Sequence, residues 1–397
     1  MLNRYFPTFN LKNIGIYYLL GIFLHGWFIL PNWVFYFSKY ITLTQIGIVE
    51  GVAILVGVLM EVPSGALSDL FGKKKTIIFG SLVIILSCVV LIYAREFTHF
   101  LIGNVLMFIG FAFHSGATEA FAYDSMVEKK LEKNYDVVVS RHTSISIAAT
   151  VFSTFIGGYL YGLNPIYPFV AWIIFSAVSV VLLIFAIEPG IDIVKLNFRN
   201  YIRHLGEGTM ILFGEKLKLY LVTILGIAIF IKLYQGIVRQ AIAADFTFTG
   251  ETFGYLLGLI MIPTTLLSFK FDVLRKRFGD YVLLIGITSV MFISFTFALL
   301  AKNVIVGASI FFLLMLAEKL SQPLISVIVN QRIDSKHRAT TLSALSLFSQ
   351  IPYILLVFGF AYLTELKNIR ILYIIYLVIS GAILLSTLRL KQANNKS

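Results

Sequence analysis

Long apolar runs broken by short polar ones make up most of this chain. Runs of about 18 to 25 residues, the length of a helix that crosses a bilayer, recur at roughly 14–37, 46–68, 76–94, 99–125, 143–163, 168–187, 219–243, 253–271, 281–301, 303–329, 341–363 and 370–388. They fall into two groups of six. The stretch between the groups, EPGIDIVKLNFRNYIRHLGEGTMILFGEKLK, is the longest without a spanning run. Its Pro-Gly pair and its spaced charges around an amphipathic middle predict a linker lying on the membrane surface. The pattern predicts an all-α polytopic membrane protein of twelve transmembrane helices. A six-helix bundle covers 1–187, a cytoplasmic central linker 188–218, and a second bundle with a short cytoplasmic tail 219–397.

Composition agrees with that pattern. Of the 397 residues 58% are hydrophobic and 13% charged, and the mean hydropathy of +0.89 excludes a soluble globular protein. A net charge of +12 would suit nucleic acid, but Lys and Arg punctuate apolar runs instead of forming a basic domain, so no nucleic-acid partner is expected. Membrane orientation accounts for the charge. With the N-terminus inside, about 24 of the 32 Lys and Arg face the cytoplasm, about 5 lie outside and about 3 within spans. Both termini are then cytoplasmic, in a multi-pass monomer of the cell membrane. The opening MLNRYFPTFNLKN lacks the short apolar core and small-residue cleavage site of a signal peptide. The single cysteine, Cys88, allows neither an intrachain disulfide nor a Cys-based metal site, and no metal or cofactor is expected. The six histidines show no HExxH spacing, which argues against an enzyme. No filter motif or repeated pore loop points to a channel.

Chemistry in such a chain concentrates in polar residues inside the spans, where an unpaired charge costs at least about 2.5 to 3.5 kcal/mol. On the first span Tyr18, His25 and Asn32 recur every seven residues and form a stripe able to line a cavity. The second span places Glu50, Gly57 and Glu61 on one face. The fourth carries His114, Ser115, Glu119 and Asp124, with Ser115, Glu119 and Tyr123 sharing a face. The second half is mainly basic: Lys232, Gln235 and Arg239 line one stripe of the seventh span, Glu318, Lys319 and Gln322 occupy the tenth, and Gln350 and Tyr353 the eleventh. The candidates for substrate binding and proton coupling are therefore His25, Glu61, His114, Glu119, Lys232, Arg239, Glu318, Gln322 and Gln350. Structural readings stand beside these. Glu318 can pair with Lys232 or Lys319 to tie the seventh and tenth helices, His25 and His114 can be hydrogen-bonded packing residues, and Asp124 can form an interfacial salt bridge with Arg141.

Between the second and third spans, MEVPSGALSDLFGKKK ends an apolar run in a small-residue turn formed by Gly65, Ser68 and Gly72, with Lys73, Lys74 and Lys75 holding the loop inside. GALSDLFGKKK resembles the signature loop of the major facilitator superfamily, with Gly65, Asp69, Gly72, Lys73 and Lys75 in the pattern. SGATEAFAYDS and NQRIDSKHRATTLSALS are also similar to bacterial members. The halves echo one another as parallel repeats do: FDVLRKRFGD sets Asp272 and Gly279 where the first half has SDLFGKKK, and Arg141 and Arg338 hold corresponding places. The resemblance implies two six-helix bundles around a central cavity, rocking between inward-open and outward-open states. It also implies a cytoplasmic gate in which Asp69 meets the N-terminus of the eleventh helix, with Asp124, Arg141 and Arg338 nearby. Two features depart from the family's drug–proton antiporters. LIGNVLMFIGFAF offers Asn104 where they carry an intramembrane Arg, and TVFSTFIGGYLYG keeps Gly157 and Gly158 without their proline.

The resemblance thus implies a secondary transporter, and more than one cargo stays open. Export of small amphipathic or aromatic compounds in exchange for protons is suggested by an aromatic content of 15% and by Glu61 and Glu119 as protonatable groups. Uptake or exchange of an anionic metabolite held by Lys232 and Arg239 is the alternative, and a ligand sensor built on the transporter fold is a third reading.

Overall fold

A backbone in lipid must satisfy its own N–H and C=O groups, which leaves the helix as the natural form for these apolar runs. The computed structural model describes residues 8, 11–190, 198–300, 302–334, 337–366 and 368–394, and every regular element among them is helical. The readings made for most of the first ten residues, for linker residues 191–197 and for the last three residues lie outside the described residues. The helices are α1 (Lys12–Phe23), α2 (Trp33–Phe37), α3 (Leu43–Phe71), α4 (Lys73–Tyr93), α5 (Phe97–His114), α6 (Ala117–Val127), α7 (Tyr135–Leu163), α8 (Tyr167–Phe185), α9 (Phe198–Leu212), α10 (Glu215–Leu233), α11 (Arg239–Asp245), α12 (Gly250–Ser268), α13 (Phe271–Leu300), α14 (Val304–Asn330), α15 (Arg338–Glu365) and α16 (Ile369–Asn394).

Among the described residues eleven stretches are long and apolar enough to cross a membrane. The twelfth expected span, 14–37, is present as α1 and α2 separated by turns over 24–32. The fourth span is likewise interrupted, between α5 and α6, at Gly116 with φ +73°. The seventh passes from α10 to α11 through a π-helical turn, Tyr234–Val238, in which Gly236 leaves helical geometry.

The chain separates into two compact units, one running through Phe198 and including Gly250–Gly258, the other formed by Arg199–Thr249 and the chain from Leu259 onward. Corresponding spans pair alike within each unit, as a parallel repeat requires. In the first, α4 packs on α5 and α8, and α1 packs on α7 and α8; in the second, α13 packs on α14 and α16, and α10 on α15 and α16. Small residues permit the closest approaches. Gly80 of α4 and Gly110 of α5 meet backbone to backbone, and the broken segment of the first span lies so near α7 that a methyl group on Gly157 would fall on the Phe28 carbonyl.

One expectation about local structure is corrected. The signature loop is no multi-residue turn, because α3 runs through Pro63, Gly65, Ser68 and Asp69 to Phe71, and a single residue, Gly72 at φ +102°, turns the chain into α4. Gly279, its counterpart by sequence, also has positive φ, +77°, and forms the kink inside α13. The amphipathic middle of the linker is the helix α9, which docks on the start of α15, where Gly208 abuts the Thr340 carbonyl.

Candidate functional site

In the first unit the polar groups converge on the break in the first span. Asn32 donates to the Gly157 carbonyl at 3.0 Å, and Ser153 Oγ donates to the His25 carbonyl at 3.3 Å, so α7 takes up backbone and side-chain groups that an unbroken helix would hold internally. The predicted stripe of Tyr18, His25 and Asn32 is therefore not one helix face: Tyr18 lies in α1, His25 in the turn and Asn32 at the head of α2. Beside the break, the His142 ring stacks on Tyr17 with centroids 3.9 Å apart and meets His25 edge-on at 6.0 Å. Gly21 has no side chain, which lets His142 and Ser146 of α7 reach the α1 backbone. Tyr17 Oη, His25 Nδ1, His142 Nε2 and Ser146 Oγ are buried without a hydrogen-bond partner. Each such atom costs about 1 to 3 kcal/mol, so four together are unusual for a purely structural contact. His114 behaves differently. Its Nε2 lies 3.1 Å from Ser81 Oγ, which is itself 3.1 Å from Ser179 Oγ, a network that ties α4, α5 and α8 together.

Glu61 and Glu119 are exposed on the surface of this unit, and no cation lies within 4 Å of either among the described residues. Tyr123 is exposed near Glu119, whereas Ser115 caps the end of α5 before the Gly116 turn and so leaves their common face. On α3, Glu50 and Gly57 are buried and Glu61 is not, so the expected common face of the three divides.

At the loop end of the first unit the motif residues form an ionic cluster. Buried Lys73 places Nζ 3.2 Å from Asp69 and 3.4 Å from Asp124. The partner found for Asp124 is thus Lys73 and not the expected Arg141, which is exposed, as are Lys75 and Arg338. Glu188, which sequence reasoning passed over, accepts from the Lys74 amide at 3.0 Å at the N-terminus of α4, where the helix dipole favours an anion. Lys74 Nζ in turn donates to the Ile184 and Ala186 carbonyls at the end of α8.

In the second unit a cavity of about 190 Å³ is lined by Lys232, Gln235, Ser321, Gln322, Ser326, Ser346 and Ser349, with Ala228, Ile231, Ile325, Leu342 and Leu345 as its apolar wall. Gln350 is not among the lining residues; it lies one helical turn from Ser346 and donates to its Oγ at 3.3 Å. The π-helical turn keeps Lys232 and Gln235 at the cavity and separates them from Arg239, which is buried with Nε unpartnered. Glu318 lies in electrostatic range of Lys232. Among the described residues it forms no ion pair with Lys232 or Lys319, and its Oε2 is buried without a hydrogen-bond partner, so the expected structural pair is not formed. Helical periodicity made the seventh-span stripe legible, but it could not show a π turn; Gly236 was the one signal of it.

Residues 16–236 match the family model described as Major Facilitator Superfamily. A protein of Bacillus subtilis (strain 168) described as an uncharacterized MFS-type transporter, YxaM, is 22% identical over 323 residues, 79% of each chain. The solved nucleoside transporter NupG is similar with a TM-score of 0.76 at 11% identity, over 97% of this chain and 98% of that one. A POT family transporter in complex with 5-aminolevulinic acid gives 0.72 at 12% identity, over 98% and 100%. A bacterial homolog of the human lysosomal transporter Spinster, inward-facing and unoccupied, gives 0.68 at 14% identity, over 96% and 97%. At these identities the structures share the fold. A multi-pass helical chain that matches this family model is a transporter of small molecules in a lipid bilayer and not an enzyme, and this one belongs to the Major Facilitator Superfamily.

Proposed function

We propose that the protein exports small amphipathic compounds across the cell membrane in exchange for protons, working as a monomer with both termini in the cytoplasm and no nucleic-acid partner. The observation that carries this reading is the cavity of the second unit, where the Lys232 ammonium and the Gln235 and Gln322 amides face an apolar wall of isoleucine and leucine. Such a lining holds one polar end and one apolar end of a solute. Exposed Glu61 and Glu119, free of ion pairs among the described residues, supply protonatable groups in the acidic half. The test is accumulation of a panel of amphipathic compounds by energised everted vesicles. Accumulation of at least one compound, lowered about tenfold by Lys232→Ala through loss of a charge-assisted contact, is the expected result.

A second reading, uptake or exchange of an anionic metabolite, is favoured by one observation: neither Lys232 nor Arg239 has a carboxylate within 4 Å among the described residues. Accumulation of small organic anions by right-side-out vesicles, abolished when Lys232→Ala and Arg239→Ala are combined, would select it. Transport unchanged in that double variant would dismiss it.

A further inference from the structure

We propose that His25 and His142 together form a proton-binding site at the break in the first span. The two rings meet edge-on 6.0 Å apart, with His25 Nδ1 and His142 Nε2 each buried and without a hydrogen-bond partner. Tyr17 Oη and Ser146 Oγ beside them are equally unpartnered, and Tyr17, Ser146 and His142 are at least nine-tenths buried. His114, by contrast, reaches Ser81 Oγ. An imidazole nitrogen with a free lone pair accepts a proton without any bond breaking elsewhere, and the resulting charge is spread over that ring.

The surroundings fit a reversible charge. No carboxylate lies within 4 Å of either imidazole among the described residues. The Tyr17 face stacked on His142 and the Trp27 ring 5.5 Å from His25 offer aromatic surfaces that attract a cation without fixing it. Two imidazoles this close oppose a second charge, so the pair takes one proton at a time. Other titratable groups in electrostatic range of Tyr17 or His25 are Tyr18 on α1, His114 on α5, Glu119 on α6 and Tyr135 on α7, with Arg141 of α7 in range of Tyr18, while α8 presents Phe175. The proton would act on the element that holds it, because the His25 carbonyl is bound by Ser153 and the same segment is docked by Asn32 on Gly157. Charge on His25 therefore bears directly on how the broken segment sits against α7.

The site deepens the proton-coupled reading above and rests on it for its role in transport, but proton binding itself is measurable without any solute. Protonated imidazole quenches a neighbouring indole, so Trp27 fluorescence of the purified full chain in detergent reports on His25. The expected result is a one-proton transition in wild type that disappears in Trp27→Phe and in His25→Gln, moves its midpoint in His142→Gln, and is untouched by His99→Gln. Monodispersity and an unchanged melting curve confirm that each variant is folded. A transition that survives unaltered in both His25→Gln and His142→Gln, or a folded wild type with none, would overturn the proposal. The coupling role is read separately, from the pH dependence of transport by the same variants. If the histidine transition is present and transport ignores pH, the site stands and the proton-coupled function falls. If the transition is absent and transport still follows pH, the function stands with another carrier and the site falls.

Discussion

Gly72 and Gly279 stand at matching points of the two halves, and both turn the chain through positive φ, +102° and +77°. A side chain there strains the backbone by about 1 to 2 kcal/mol at either position. Their surroundings differ, since a Cβ on Gly72 would meet the Glu188 carboxylate that receives the Lys74 amide, while Gly279 has open space around it. Gly72→Ala is therefore expected to lower the thermal unfolding midpoint in detergent clearly further than Gly279→Ala does, at equal scan rate. Equal losses would show that the Glu188 contact contributes nothing. The glycines were legible because a basic loop between two apolar runs needs a turn. Glu188 was not: it lies more than a hundred residues from the lysines it serves, and its neighbours Pro189 and Gly190 look like an ordinary linker start. His142 was hidden for a similar reason, since its partners Tyr17 and His25 sit on the first span, more than a hundred residues away.

Three of the twelve expected spans are interrupted, and each interruption falls at polar residues: His25 and Asn32 in the first, Ser115 and Glu119 in the fourth, Gln235 in the seventh. Hydropathy made the spans readable because lipid demands length and apolarity. It did not show the breaks, because Trp27, Phe28, Ile29 and Leu30 carry the apolar run through the segment; Gly26 and Pro31 mark the turn. An irregular segment in a membrane protein persists where protein groups satisfy its backbone. Asn32→Ala removes a bond that docks the segment on α7, from the Asn32 side-chain amide to the Gly157 carbonyl, worth about 0.5 to 1.5 kcal/mol. Amide exchange over 24–32 should then quicken several-fold while exchange in α3 and α4 stays as in wild type. Unchanged exchange in the segment would mean that docking on α7 does not depend on this bond.

Across the whole molecule the repeat is visible in the shared pairing of helices, yet the two units differ in chemistry. The first carries exposed Glu61 and Glu119 and an imidazole pair, and the second Lys232 at a cavity with polar and apolar walls. In the proposed exchange these different groups serve the two cargoes. The charge contrast between the halves was legible from residue types and span positions. The cavity itself was not, because it depends on how Lys232, Gln322 and Ser346 of three different spans come together.

The measurement that tests proton-coupled transport most directly is the internal pH of energised everted vesicles while lipophilic cations, antibiotics and organic anions are added in turn, with wild type set beside Glu119→Gln. The account predicts release of protons on addition of at least one amphipathic compound in wild type, and a large loss of that release in the variant. Solute transport by the folded wild type with no proton movement from any compound would contradict it.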